Sequence, residues 1–126
     1  MKKILVIEDN NDIRENVEEL LALAGYTVST ASNGKQGVEA AVREMPDVIL
    51  CDVSMPELDG YGVLKQLQQN EKTASIPFIF LTALAEKADI QRGFKEGAQD
   101  YLVKPFLEAQ LMKAITTALA KGGNKS

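Results

Sequence analysis

Two hydrophobic rhythms alternate along this chain. Lys3–Ile7 is apolar without polar interruption after its first residue, the pattern of a strand buried on both faces. Ile13, Val17, Leu20, Leu21 and Ala24 then recur at helical spacing. Asn10-Asn11-Asp12 can cap that helix, and Gly25 can stop it. Tyr26–Ala31 alternates as a second strand nearer a sheet edge. Val38, Ala41, Val42 and Met45 mark the next helical stripe, ended by Pro46. Asp47–Cys51 reads as a buried third strand. The turn material Met55-Pro56-Glu57-Leu58-Asp59-Gly60 follows, then a helix around Gly62–Gln69. Past Pro77, Phe78–Leu81 is a fourth strand, and Glu86–Gly97 is a helix with a thin stripe, chiefly Ile90 and Phe94, and an internal Gly93. Tyr101–Val103 is the fifth strand. Leu107, Leu111, Ala114, Ile115, Ala118 and Leu119 then draw a strongly amphipathic last helix, with Gly122-Gly123 ending it.

Repeated strand–helix alternation predicts an α/β fold, a doubly wound five-stranded parallel sheet with helices on both faces. A single domain over residues 1–121 is expected, followed by a short flexible tail, 122–126. In such sheets ligands bind beyond the carboxyl ends of the strands. The residues ending the strands are Glu8-Asp9 after the first, Asp52 after the third, Thr82 after the fourth and Lys104 after the fifth. The pattern thus gathers three carboxylates, a hydroxyl and an ammonium group at one rim. Clustered carboxylates repel one another, and a hard divalent cation relieves the repulsion. Mg²⁺ is held by one or two carboxylates together with phosphate oxygens. Such a rim asks for Mg²⁺ (or Mn²⁺) and a phosphoryl group together, with Asp52 as nucleophile, Lys104 as a further positive charge and Thr82 as a hydroxyl donor.

Composition narrows the chemistry. The 126 residues are 45% hydrophobic and 25% charged, a globular balance, and carry a net charge of −4 with the basic residues scattered. No footprint for direct nucleic-acid binding follows from that distribution. The opening Met-Lys-Lys-Ile-Leu-Val-Ile is broken by Glu8-Asp9 before an export signal or membrane segment could form, and a cytoplasmic location is expected. The lone Cys51 fits a reducing compartment and a buried place beside Asp52. There is no histidine, so His-based triads, His metal sites and a resident phosphohistidine are excluded.

Glu8-Asp9, Asp52 with Met55–Gly60, Thr82-Ala83, Gly97-Ala98 and Asp100-Tyr101-Leu102-Val103-Lys104-Pro105-Phe106, in that order, resemble the receiver domain of two-component response regulators over essentially the whole chain. The resemblance implies the flavodoxin-like strand order 2-1-3-4-5. It makes Asp9 a direct metal ligand, Glu8 a ligand through water, and Asp52 both ligand and phosphoacceptor. The backbone carbonyl of Ser54 completes the set. It implies that Thr82 and Tyr101 are the switch pair, Tyr101 turning inward as Thr82 moves, and that Lys104 contacts the acyl phosphate before a cis peptide to Pro105.

The implied function is a phosphorylation-dependent switch in a phosphorelay, not an enzyme acting on a separate substrate. The phosphoryl donor is a histidine kinase or histidine phosphotransfer protein docked around Ile13, Arg14, Pro105 and Phe106. The readout is the face made by the fourth helix, fifth strand and fifth helix, presented to a downstream protein or output domain. No membrane partner is implied. The last helix carries Lys113 and Lys121 but no Arg, unlike family members that dimerise through this face, so a monomer or a weak phosphorylation-dependent dimer is expected. The alternative is a module of the same fold that binds partners without phosphorylation. A flavin carrier is disfavoured because Glu8-Asp9 would repel its phosphate. An aspartyl phosphohydrolase is disfavoured because Ser54 stands where a second Asp is needed.

Overall fold

A computed structural model describes residues 1–123 and realises the alternation in full. The elements are β1 (Lys3–Ile7), α1 (Asn11–Leu23), β2 (Thr27–Ala31), α2 (Gly34–Glu44), β3 (Val48–Cys51), α3 (Gly60–Gln68), β4 (Phe78–Thr82), α4 (Lys87–Lys95), β5 (Asp100–Val103) and α5 (Glu108–Gly123). The five strands form one parallel sheet in the order β2-β1-β3-β4-β5. The last helix, expected to be ended by Gly122-Gly123, runs through Gly123. The rest of the expected tail, 124–126, lies outside the described residues.

Strand alternation divides the interior into two cores. Leu5, Ile7, Ile49, Cys51, Phe78, Phe80 and Tyr101 point to the face covered by α2, α3 and α4. Ile4, Val6, Val48, Leu50, Ile79 and Leu81 point to the other, where Val17 and Leu21 of α1 and Leu111, Ala114, Ile115 and Ala118 of α5 close over them. Every residue of β3 and β4 is buried, which explains their uninterrupted apolar character. At about 25 cal/mol per Å² of apolar surface, each buried Leu, Ile or Phe here contributes roughly 1.5–3 kcal/mol before entropy is counted.

The helices start where their caps place them. Asn10 accepts from the Ile13 N–H at 3.0 Å, Asn33 from Gln36 at 2.8 Å and Asp59 from Gly62 at 2.9 Å. Asp59 therefore starts α3 two residues earlier than the periodicity predicts. The packing face of α2 matches expectation in part. Ala41 is buried and Val38 packs partly buried against the core as expected, but Val42 and Met45 are exposed at 38% and 43%, and Gly34, Gly37 and Ala40 complete the buried face. The cause is close approach: a Cβ at Gly37 would lie 2.5 Å from Cδ1 of Ile7, so only a small-residue stripe lets α2 seat this near β1. On α4, Phe94 is 47% exposed rather than an anchor, and Gly93 is the helix's buried residue.

Candidate functional site

β1 and β3 are neighbours, and the chain leaves them in opposite directions along the sheet, β1 leading through α1 to β2 and β3 through α3 to β4. That divergence opens a crevice at their carboxyl ends. Into it the sequence puts Glu8, Asp9 and Asp52, and the structure brings carboxylate oxygens of all three within 4.8 Å of one another. Glu8 is 1% exposed and Asp52 7%, while Asp9 faces solvent. A cluster of hard oxygen donors with one open side is the donor chemistry of Mg²⁺ or Mn²⁺. The residues therefore fit the cation that the sequence implies.

Lys104, just beyond β5, reaches back across the sheet. Its ammonium group donates to Oε1 of Glu8 and stands 3.5 Å from Oδ2 of Asp52. The side chain is only 14% exposed, so this charge acts in a partly dry setting. Asp52 Oδ1 also accepts from the Ser54 N–H at 3.3 Å, and Glu8 Oε2 from the Asn10 N–H at 3.1 Å. Even so, burial pushes the Glu8 carboxyl up to about 7, and the Lys104 hydrogen bond offsets it only in part. Desolvation also raises the Cys51 thiol well above its ordinary value, so this residue is the inert core hydrophobe expected. Its S–H donates to the Asp52 carbonyl at 3.2 Å.

Thr82 ends β4, 1% exposed, and its hydroxyl accepts from the Leu84 N–H at 3.3 Å. Tyr101, paired across the sheet with Phe80, donates its hydroxyl to the carbonyl of the same Leu84 at 2.8 Å. The two residues expected to move together thus hold opposite ends of one residue in the loop after β4. Nothing in the sequence singles out Leu84, because both bonds go to its backbone. The Tyr101 ring is already inward, 8% exposed, rather than waiting outside. The Lys104–Pro105 peptide is cis.

Arg14, expected on the docking rim, has a structural task as well. Its guanidinium donates to the backbone carbonyl of Glu8 at 2.9 Å and to the Asn11 side chain. It therefore holds the acidic corner in place from α1. The other three residues of the expected docking rim, Ile13, Pro105 and Phe106, fall together and, with Asn16, Leu20 and Ala83, which the sequence did not single out for docking, line a mostly apolar groove of about 590 Å³ beside Lys104.

Comparisons with known proteins agree with this geometry. The family model for the response regulator receiver domain matches residues 4–116. The chain is 41% identical over 120 residues to the probable transcriptional regulator ycf27 of Guillardia theta, covering 95% of this chain and 46% of that protein. It is 39% identical over 121 residues to the DNA-binding dual master transcriptional regulator RpaA of Synechocystis sp., covering 96% and 50%. The chain thus spans about half the length of these curated relatives. Among solved structures it is similar to the chemotaxis protein CheY4 of Vibrio cholerae, with TM-score 0.89, 34% identity and 94% and 99% of the two chains covered. It is equally similar to the receiver domain of sensor histidine kinase PA1611 of Pseudomonas aeruginosa, at TM-score 0.88 and 34% identity over 94% and 98%. That structure has a magnesium ion coordinated in its active-site cleft.

Proposed function

The chain belongs to the family of response regulator receiver domains, and from that premise we propose that it is a phosphorylation switch whose acceptor is Asp52. The observation that carries this reading is the convergence of Glu8, Asp9, Asp52 and Lys104 at one rim, with an acidic side fit for a cation and a lysine facing it. A carboxylate oxygen of Asp52 attacks phosphorus. The new O–P bond forms as the bond from phosphorus to the donor's imidazole nitrogen breaks, and the imidazole leaves with the electron pair. Asp9 and Asp52, the backbone carbonyl of Ser54 and, through water, Glu8 would hold Mg²⁺ or Mn²⁺. When bound, that cation supplies charge neutralisation at the phosphoryl oxygens.

Lys104 moves its ammonium group from Glu8 and Asp52 onto a phosphoryl oxygen, and Thr82 offers its hydroxyl to another. Thr82 then trades its present bond to the Leu84 N–H for the new one. The phosphoryl donor is a histidine kinase or phosphotransfer protein in the cytoplasm, because the chain has no histidine of its own. Its phosphohistidine helix docks in the groove between Ile13, Leu20, Pro105 and Phe106, which opens onto Lys104. Like its curated relatives, the chain would serve an output that controls transcription, reached through the α4–β5–α5 face and not by direct contact with nucleic acid. It assists its own phosphorylation and dephosphorylation and turns over no separate substrate.

Incubation with acetyl phosphate and Mg²⁺ should add one phosphoryl group by mass. Chelation or Asp52→Asn should abolish the addition. Incorporation into Asp52→Asn at the wild-type rate would remove Asp52 as acceptor. No incorporation into the wild type would leave a partner-binding module of the same fold.

A further inference from the structure

Arg92 on α4 lays its guanidinium over the ring of Tyr61 on α3, with Cζ 3.8 Å from the ring centroid. A cation at that distance is attracted by the negative face of the ring. No carboxylate among the described residues lies within ion-pair distance of Arg92, so this ring is its partner. Tyr61 is itself buried and meets Phe80 edge-on, centroids 5.2 Å apart. Phe80 in turn meets Tyr101 at 6.0 Å. Three aromatic rings thus run from the α3–α4 seam to the residue bonded to Leu84.

Beside Arg92, the backbone of Gly93 rests on Tyr101. A Cβ there would lie 2.6 Å from Cδ2 of Tyr101 and 3.2 Å from Cδ2 of Phe80. Where α4 sits and where the Tyr101 ring sits are therefore one variable. α3 takes hold of α4 a second time at its end, where the Gln68 amide donates to the carbonyl of Glu96 at 2.9 Å. The opposite end is held less firmly, because Glu86 at the N-cap makes no side-chain capping bond. Most other α4 side chains are exposed, and Ile90 is the helix's partly buried hydrophobe against this core.

We propose that Arg92, stacked on Tyr61, is the latch that keeps α4 seated on Tyr101, and so sets the balance between the buried, Leu84-bonded ring and an outward one. The proposal rests on Thr82 and Tyr101 acting as the switch of the phosphoacceptor. Arg92 is then a positioning residue, acting through α4 on Tyr101 and not on the phosphoryl group. Because the contact is present without a phosphoryl group, the latch tunes the resting protein. Phosphorylation then shifts a balance that Arg92 has already biased towards the buried ring.

The chain has three tyrosines, Tyr26, Tyr61 and Tyr101. Incorporated 3-fluorotyrosine therefore gives three ¹⁹F resonances, assignable by single Tyr→Phe substitutions. The Tyr101 resonance, read without Mg²⁺ or any phosphoryl mimic, reports its buried and outward populations. Arg92→Ala should move it towards the solvent position, a change of roughly two- to fivefold in the population ratio. Arg92→Gln should do the same, because length without charge does not hold the ring, and Arg92→Lys should do less. In a Tyr61→Leu background, Arg92→Ala should add nothing.

A Tyr101 resonance in Arg92→Ala that coincides with wild type would overturn the latch. So would a wild-type position in Arg92→Gln, or an undiminished effect of Arg92→Ala in Tyr61→Leu. If Tyr61→Leu does not fold, the exposed Arg92 variants decide alone. Loss of phosphorylation at Asp52 would appear instead in the mass measurement, so failure of the latch and failure of the phosphoacceptor are told apart.

Discussion

Lys104 serves two carboxylates in the resting protein, and this shapes what its removal does. A shift from mostly resting to mostly activated protein needs about 5.5 kcal/mol of differential binding. One charge-assisted hydrogen bond contributes roughly 1.5–3 kcal/mol, so Thr82 and Lys104 must share the work. Thr82→Ala should still take up phosphate and respond weakly, and Lys104→Ala should take it up and respond hardly at all. NMR shifts along α4 and at Tyr101, with and without beryllofluoride, measure both; full response in both variants contradicts this division. Glu8 supplies a second prediction. A free glutamate titrates near 4.5 and buried Glu8 near 7, so the folded state binds this proton more tightly than the unfolded chain. That contribution is fully present below about 4.5 and is lost as pH rises through about 7. The urea midpoint of the metal-free protein should therefore fall between pH 5 and 8, by up to about 3 kcal/mol in stability. Glu8→Gln should flatten the fall and Mg²⁺ should oppose it; an unchanged slope in Glu8→Gln contradicts the assignment. Glu8, Asp9, Asp52, Thr82 and Lys104 were legible as one cluster because each stands at or just past the end of a strand. The role of Arg14 was not, since a guanidinium bonded to a backbone carbonyl leaves no trace in a residue pattern.

At the scale of elements, all ten follow from periodicity and punctuation, because buried parallel strands and amphipathic helices write different rhythms. What escaped was how far two of the helices' buried faces rest on small residues. The stripes hold at Val38 and Ala41 on α2 and at Ile90 on α4, but they also favour Val42, Met45 and Phe94, which are exposed, while Gly34, Gly37, Ala40 and Gly93 are buried. Close helix–sheet approach outweighs side-chain size in such places, and only the partner's shape reveals it. Gly37→Ala tests this. Its new methyl would meet three atoms of Ile7 at under 3 Å, in the core and next to Glu8. Overpacking of this kind costs about 1–3 kcal/mol and the better helix propensity of alanine returns up to about 1. A net loss of about 1–2 kcal/mol in urea unfolding is expected, where an exposed helical Gly→Ala would gain.

For the whole molecule, the two cores give the sheet two independent sides. The groove proposed to receive the phosphoryl donor is built on the α1 and α5 side, where Ile13, Leu20 and Phe106 pack against that core. Tyr101, Phe80 and Tyr61 belong to the other. Phe106→Ala or Ile13→Ser should slow transfer from a cognate kinase at least severalfold while leaving labelling by acetyl phosphate and the Tyr101 resonance as in wild type. Equal loss with both donors would mean the groove supports the site's structure rather than docking.

That partition has a consequence for descent. Substitutions in the groove fall on one side of a five-stranded wall, and those that retune the Tyr101 ring fall on the other, although α5, part of the readout face, shares the groove's side. Residues apart and without shared partners combine nearly additively, whereas those packed in one core do not. A duplicated copy of this chain could therefore change its informant without disturbing the ring that sets its answer, or the reverse, with each step judged by selection on its own merits.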